Sequence, residues 1–171
     1  MAVNFGLLLI RVIVGLTLAA HGAQKLFGWF GGGGLRSTAA NFEKMGYRPG
    51  NVMALLAGLG EAGGGALVAL GLLTPLGAAA GIGVMLNAII SVHVPNGFWN
   101  QRGGFEYPLT IAAVFAGIAF AGSGGYSLDA AIGWRLSGIG WGIGAVLAAA
   151  GAAAGALLIR SRALREVSQP S

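Results

Sequence analysis

Residues 52–94 read VMALLAGLGEAGGGALVALGLLTPLGAAAGIGVMLNAIISVHV, two long apolar runs with one short turn between them. A helix rises about 1.5 Å per residue, so each run can cross the roughly 30 Å hydrocarbon core of a bilayer. The turn at Gly71 to Pro75 is very short, and Pro75 suits the first turn of a helix, where its missing N–H costs nothing. The stretch therefore predicts an antiparallel transmembrane hairpin.

Three further apolar runs predict further spans, at about residues 4–27, 105–122 and 139–159. The runs are long and do not alternate polar with apolar residues, which argues against a β-barrel. Arg11 interrupts the first run and no basic segment precedes it, so we expect a retained helix rather than a signal peptide. The fold class expected is all-α, a polytopic transmembrane helical bundle.

The composition excludes several classes of protein. Of 171 residues, 56% are apolar and 9% charged, whereas soluble domains carry about 25% charged residues. The absence of cysteine removes disulfides, thiol catalysis and iron–sulfur clusters. Redox chemistry would then need a bound cofactor or a partner. The basic residues are scattered over loops and the tail, so no nucleic-acid partner is expected.

The basic residues also predict orientation. They concentrate in the 28–50 connection, the 95–104 loop and the C-terminal tail, whereas the opposite side carries only Arg135. The positive-inside rule then places the N-terminus outside and the C-terminus in the cytoplasm. Residues 35–47 form an amphipathic segment that we expect at the membrane interface. The interfacial anchors expected are Trp29, Phe30, Tyr47 and Trp99.

Few ionisable residues lie in the spans, and each is a site candidate because a charge inside hydrocarbon costs about 2.5–3.5 kcal/mol. The candidates for ligand binding or proton transfer, all near the predicted cytoplasmic side, are His21, Lys25, Glu61, His93 and Glu106. Arg11 and Glu61, at similar estimated depths, are predicted to form a buried ion pair. Such a pair either fixes helix register or serves a function.

The two histidines admit several interpretations. Histidines at helix ends commonly bond to backbone carbonyls or carboxylates. They can also bind haem, ligate a metal with Glu61 and Glu106, or bond to a bound polar head such as a quinone carbonyl or a lipid headgroup. No spacing here specifies a metal site, so neither a metal nor haem is expected. The string Gly58-x-Gly60-x-x-Gly63 is no dinucleotide motif, because no strand precedes it. No catalytic residue stands out.

Several segments resemble the DoxX family in order along the chain. Residues 21–32, HGAQKLFGWFGG, resemble its His-Gly-x-x-Lys-Leu-Phe-Gly segment, and Arg11 falls where the family has an arginine. Residues 58–64, GLGEAGG, are similar to its second-helix segment. Residues 92–108 and 125–129 resemble its third-to-fourth helix region and its ending. The resemblance covers about residues 5–133.

The resemblance implies a bacterial plasma-membrane protein linked to respiration or redox stress. The family is usually described with four helices. Residues 1–137 are therefore expected to be a DoxX-like four-helix domain, 138–160 an additional transmembrane helix, and 161–171 a cytoplasmic basic tail. Relatives include DoxD-like subunits associated with quinol oxidase and thiosulfate:quinone oxidoreductase activities, and some members are described as membrane anchors for soluble redox enzymes.

Three functions compete. The first is a quinone-linked subunit of a membrane oxidoreductase complex, with a noncovalent quinone and no catalytic centre in this chain alone. The second is a non-catalytic scaffold or assembly factor that anchors soluble redox enzymes. The third and weakest is a small-solute or lipid transporter. The partners expected are the lipid bilayer and proteins of a membrane complex, and the sequence leaves a homo-oligomer open.

Overall fold

The computed structural model describes residues 1–168, which are almost entirely helical. The α-helices of this part are α1 Ala2–Phe27, α2 Gly34–Lys44, α3 Gly50–Leu70, α4 Thr74–Ala88, α5 Glu106–Ala121, α6 Leu128–Ala131 and α7 Ile139–Ser168. Helix α4 continues as a π-helical turn, Ile89–His93, and a 3-10 turn, Val94–Asn96. No strand occurs among the described residues, so the all-α prediction is confirmed.

Within residues 1–168, four helices are long and apolar enough to cross a membrane: Ala2–Phe27, Gly50–Leu70, Thr74–Asn96 and Ile139–Glu166. The fifth apolar helix, α5, has 16 residues. It is about 24 Å long, less than the hydrocarbon thickness of about 30 Å. The prediction of a transmembrane helical bundle is confirmed, with α5 shorter than the predicted span 105–122.

The helices run between two ends of the bundle. The N-terminal end holds the start of α1, the α3–α4 turn and residues 122–138, as Asn4 Oδ1 accepts the Gly125 N–H at 3.0 Å. The loop end holds α2, residues 97–105 and the last turns of α7, where Arg160 Nε donates to the Met45 carbonyl at 2.8 Å. Helix α3 ends at Leu70 and α4 begins at Thr74, which confirms the predicted hairpin.

Helices α1 and α3 cross at glycines. A Cβ atom on Gly15 would lie 2.6 Å from the Gly65 carbonyl oxygen, and one on Gly22 would lie 2.7 Å from the Gly58 carbonyl oxygen. Side chains at these positions would push the helices apart, which is why small residues favour close packing in membranes. Gly22, five residues before the end of α1, packs against Ala62, twelve residues after the start of α3. Helix α3 therefore extends beyond α1 at the loop end.

Glycines also permit the contacts of α4 with its neighbours. A Cβ atom on Gly77 would lie 2.8 Å from the Gly64 carbonyl oxygen of α3, and one on Gly81 would lie 2.9 Å from the ring of Phe115 in α5. Phe115 is completely buried. Because there is no room for a side chain at these positions, α4 can pack between α3 and α5.

Helix α7 packs on α4 and α5 through the buried residues Ala145, Ala149 and Ala153. No described atom lies within 4 Å of a Cβ placed on Gly140, Gly144, Gly151 or Gly155. Helix α7 turns its alanine face towards α4 and leaves the glycine face outward.

The predicted division of the chain stays a prediction, and α7 can be compared with its two boundaries. The boundary expected after residue 137 falls in the turn before α7, but the boundary at residue 160 lies inside the helix, which continues to Ser168. The apolar part and the basic part form one helix because no helix breaker separates them. Residues 169–171 of the predicted tail lie outside the described residues.

Candidate functional site

The structure does not form the predicted Arg11–Glu61 ion pair. The Arg11 guanidinium, 2% exposed, donates from Nη1 to the Ala69 carbonyl and from Nη2 to the Tyr126 carbonyl. A cation is favourable beside the last carbonyls of a helix, where the helix dipole is negative. Arg11 thus stabilises the C-terminal end of α3 and joins it to the loop after α5.

Asp129 completes this cluster, and sequence reasoning did not identify it as a site residue. Its fully buried carboxylate accepts the Leu73 N–H at 2.8 Å, the Thr74 N–H at 3.2 Å and the Thr74 hydroxyl at 2.7 Å. Leu73 offers no side-chain cap for α4, so a distant carboxylate caps the helix. That missing cap is the one sequence signal that could have indicated a remote acid.

Glu61 instead pairs with Lys25 at the loop end of α1. The Glu61 carboxylate is 3% exposed and the Lys25 side chain 28% exposed. Because α3 extends beyond α1 here, Glu61 lies opposite the last turns of α1 and not opposite Arg11. The pair places a buried negative charge beside a partly accessible positive charge in the loop-end half of the bundle.

A large apolar cavity of about 520 Å³ lies on one side of this pair. Helices α2, α3, α4 and α7 line it, mainly with alanine, glycine, leucine, valine and methionine side chains. Apart from Lys25 and Glu61, its polar side chains are Tyr47, Asn87 and Ser91. The cavity therefore has two polar groups in otherwise apolar walls. The first is Lys25 with Glu61, and the second is Tyr47 with Asn87 and Ser91.

Tyr47 forms the second polar group, and its predicted place as a headgroup anchor is wrong. Its side chain is 4% exposed, and its hydroxyl lies 3.2 Å from Asn87 Oδ1 and 2.6 Å from Ser91 Oγ. Tyr47 points inward because the turn after α2 folds under the end of α7, where the Arg160 guanidinium lies 5.9 Å from the Tyr47 ring centroid. Trp29, Phe30 and Trp99 are exposed at the loop end, and their anchoring role stays a prediction.

A small cavity of about 170 Å³ lies on the other side of the pair, and Lys25 and Glu61 line both cavities. His21 and His93 line the small cavity. His21 Nδ1 lies 3.1 Å from Gln24 Oε1, and His93 Nδ1 lies 2.7 Å from the Gly103 carbonyl. His93 thus has a backbone carbonyl as its partner, as expected of a histidine at a helix end, whereas the partner of His21 is a side-chain amide.

The π-helical turn Ile89–His93 contributes to both cavities. Ser91 lines the large cavity, whereas His93 lines the small one. Such insertions into α-helices occur frequently at functional sites. The end of α4 thus supplies one polar side chain to each side of the Lys25–Glu61 pair.

Of the five residues predicted to gather at the loop end, the structure places His21, Lys25, Glu61 and His93 around these cavities. Glu106 lines neither cavity, and its Oε2 accepts the Asn100 N–H at 3.0 Å. It closes the loop before α5 because it lies at the first position of that helix. The ligand or proton-transfer role of the other four stays a prediction.

Sequence reasoning also missed the part that α7 plays in the large cavity. Ala152, Ala153 and Ala156 form part of its wall. Arg160 and Leu164 attach the end of α7 to the turn after α2, where a Cβ on Gly46 would lie 2.8 Å from the Leu164 side chain. The spacing of alanines in α7 indicates that the helix packs closely, but it does not tell which helix it packs against.

No group of three or more histidine, aspartate or glutamate side chains suited to a metal ion occurs in the described residues. The family model described as DoxX matches residues 6–94, just over half of the 171 residues. No curated protein and no solved structure matches the chain.

Proposed function

The chain belongs to the DoxX family, and from this premise we propose that it is a quinone-binding subunit of a membrane oxidoreductase complex. It is a multi-pass membrane protein. The observation that carries the proposal is the large cavity, in which two polar groups face an apolar interior. The electron donor in this proposal is a partner protein, and the absence of cysteine leaves no ligands for an iron–sulfur cluster in the chain.

The chemistry of the cavity fits a quinone. A quinone ring has two carbonyl acceptors on opposite edges and an apolar isoprenoid tail. The Lys25 ammonium has three donor hydrogens, so it can donate to Glu61 and to a ligand carbonyl together. In the second polar group, the Tyr47 hydroxyl donates to Asn87 Oδ1 or Ser91 Oγ, which leaves the Ser91 hydroxyl hydrogen for a ligand carbonyl. Each of the two polar groups therefore offers a donor to one carbonyl of the quinone head.

The size and walls of the cavity fit the tail. Its volume of about 520 Å³ lies within the range of about 300–1,000 Å³ that is typical of small-molecule sites. The walls include small residues such as Gly60, Gly83 and Ala156, which leave room for a branched apolar chain. In this proposal the isoprenoid tail packs against these apolar walls, and the quinone head then faces Lys25.

Bound quinone would supply two-electron chemistry coupled to proton uptake. Within residues 1–168, Glu61 is the carboxylate that lines both cavities, so it can hold a proton beside the ligand. The Lys25 ammonium offsets part of the cost of burying the Glu61 carboxylate. His21 and His93 line the small cavity together with Lys25 and Glu61. We assign these four residues to ligand binding and proton transfer.

The test is a quinone assay on the protein in lipid nanodiscs. Extraction and mass spectrometry should find about one isoprenoid quinone per chain. Titration with a short-tailed ubiquinone should show an affinity about three- to tenfold weaker in Tyr47→Phe, because one hydrogen bond is lost. Tyr126→Phe at the N-terminal end should bind normally. Lipid alone in the extract, or equal affinity in both variants, contradicts the proposal, and a Soret band would indicate haem instead.

A scaffold function has one observation in its favour. Arg36, Lys44, Arg48 and Arg102 are exposed at the loop end, and such a basic surface attracts acidic proteins. A photocrosslinker at Ser37 should then capture redox proteins that one at Ser137, at the N-terminal end, does not. Capture of the same proteins from both positions would argue against docking at the loop end.

A further inference from the structure

The N-terminal end of the bundle contains a third cavity, about 410 Å³ in volume, away from the proposed quinone site. It lies between the first turn of α4 and the segment that leads into α7. Leu73 and Leu76 form one wall, and Trp134 and Trp141 contribute to the other. Arg135 is the one charged residue in its lining.

Arg135 has no anionic partner within the described residues. It is exposed and forms neither a hydrogen bond nor an ion pair there. The chain has five acidic residues. Of these, Asp129 alone lies at this end, and its carboxylate is fully buried on Leu73 and Thr74. An anion that pairs with Arg135 would therefore come from outside the described residues.

The position of the cavity indicates which anion is available. Helix α7 begins at Ile139, so Trp134 and Arg135 precede a membrane span by a few residues and lie at headgroup level. Tryptophans are enriched at this level, where an indole contacts both apolar and polar surroundings. The apolar wall continues from Leu73 to Leu76 along the start of α4, in the direction of the hydrocarbon core.

We propose that this cavity binds a phospholipid, whose phosphodiester pairs with Arg135 and whose acyl chain lies against Leu76 and Trp141. The guanidinium donates to two phosphate oxygens together, as arginine does at phosphate sites. Basic pockets between membrane helices bind lipid headgroups in this way. The site is separate from the large cavity and does not rest on the proposed quinone function.

The test uses the indoles of the site as reporters. In the background Trp29→Phe with Trp99→Phe, the remaining fluorescence comes from Trp134 and Trp141. The protein is placed in phosphatidylcholine vesicles that contain either dibrominated phosphatidylglycerol or dibrominated diacylglycerol, which lacks the phosphate. One surface arginine contributes about 1 kcal/mol to lipid binding, so the phosphate-bearing quencher should bind about fivefold more strongly than the phosphate-free one.

Matched variants make the outcome specific. Arg135→Gln should abolish the preference, Arg135→Lys should keep most of it, and Arg162→Gln, exposed on the last turns of α7 at the opposite end, should leave it unchanged. Millimolar inorganic phosphate should not compete. Equal quenching by both lipids, or an unchanged preference in Arg135→Gln, overturns the proposal. Competition by inorganic phosphate would replace the lipid with a soluble anion.

Discussion

At the scale of single residues, Glu61 and Lys25 carry the buried charge of the loop-end half of the bundle. A buried carboxylate that loses its only cation is costly, because its desolvation is no longer offset. Replacing both charges with apolar side chains removes that cost. The pair is therefore sensitive to the loss of one partner and tolerant of the loss of both.

Lys25→Met is expected to lower the free energy of unfolding by about 2 kcal/mol, less than for a fully buried pair because Lys25 is partly exposed. Lys25→Met with Glu61→Met should recover most of that loss. Thermal or denaturant unfolding in detergent micelles measures both. Losses that simply add in the double variant would show that the two side chains do not interact.

Exchanging the two charges of a pair distinguishes the observed Lys25–Glu61 pair from the Arg11–Glu61 pair predicted from depth alone. Arg11→Glu combined with Glu61→Arg should be no more stable than either single variant, because Arg11 bonds to the Ala69 and Tyr126 carbonyls. Lys25→Glu combined with Glu61→Lys should recover part of the loss of its single variants. The yield of monodisperse protein and its melting temperature give the comparison. Recovery by the Arg11 and Glu61 exchange would contradict the described register.

The partner of Arg11 could not be predicted from the sequence. Counting residues from the loop end of each helix gives Arg11 and Glu61 similar depths. Helix α3 extends beyond α1 at that end, so equal counts in the two helices do not mean equal depths. Asp129 was overlooked because it follows a polar segment, 122–127, that reads as an exposed loop. Its burial results from the packing of that segment against the α3–α4 turn.

At the scale of helices, the crossing of α1 and α3 depends on backbone contact. Gly22→Ala is expected to destabilise the protein by about 1–3 kcal/mol, the usual cost of overpacking, because its Cβ would lie 2.7 Å from the Gly58 carbonyl oxygen. Gly6→Ala, in the same helix with no described atom within 4 Å of its Cβ, should be neutral or up to about 1 kcal/mol stabilising. The two melting temperatures test this, and equal shifts would mean that the crossing is not tight.

The helices themselves could be predicted because segments of this composition lie in lipid, where a helix satisfies every backbone hydrogen bond within the segment. Runs such as 52–73 and 139–159 are too apolar for any structure that leaves the backbone unpaired in lipid. The faces they present could not be predicted. In α7, alanine and glycine alternate so closely that hydropathy does not distinguish the face on α4, with Ala149 and Ala153, from the outward face with Gly151 and Gly155.

At the scale of the whole molecule, the basic residues predict how the bundle sits in the membrane. The chain has no cysteine, so single cysteines can be introduced at the exposed positions Ser37 and Ser137. With the loop end in the cytoplasm, a membrane-impermeant maleimide should label Ser137→Cys in intact cells. Ser37→Cys should react only after the membrane is permeabilised. The reverse pattern would show that the orientation is inverted.

The two cavities that share the Lys25–Glu61 pair give the molecule an apolar side, where we propose that a quinone binds, and a histidine side. The large cavity lies between helices α2 to α4, which fall within the DoxX match at residues 6–94, and α7, which that match does not include. Helix α7 therefore limits the volume of the large cavity.

The most direct test is the quinone content of two variants that add the same side chain to α7. Ala156→Leu extends into the large cavity, whereas Ala154→Leu lies on the exposed face of the same helix and does not line that cavity. Protein in nanodiscs should retain about one quinone per chain in Ala154→Leu and lose most of it in Ala156→Leu, with both folded. Equal quinone content in the two variants, or none in the unmodified protein, would contradict a quinone site in this cavity.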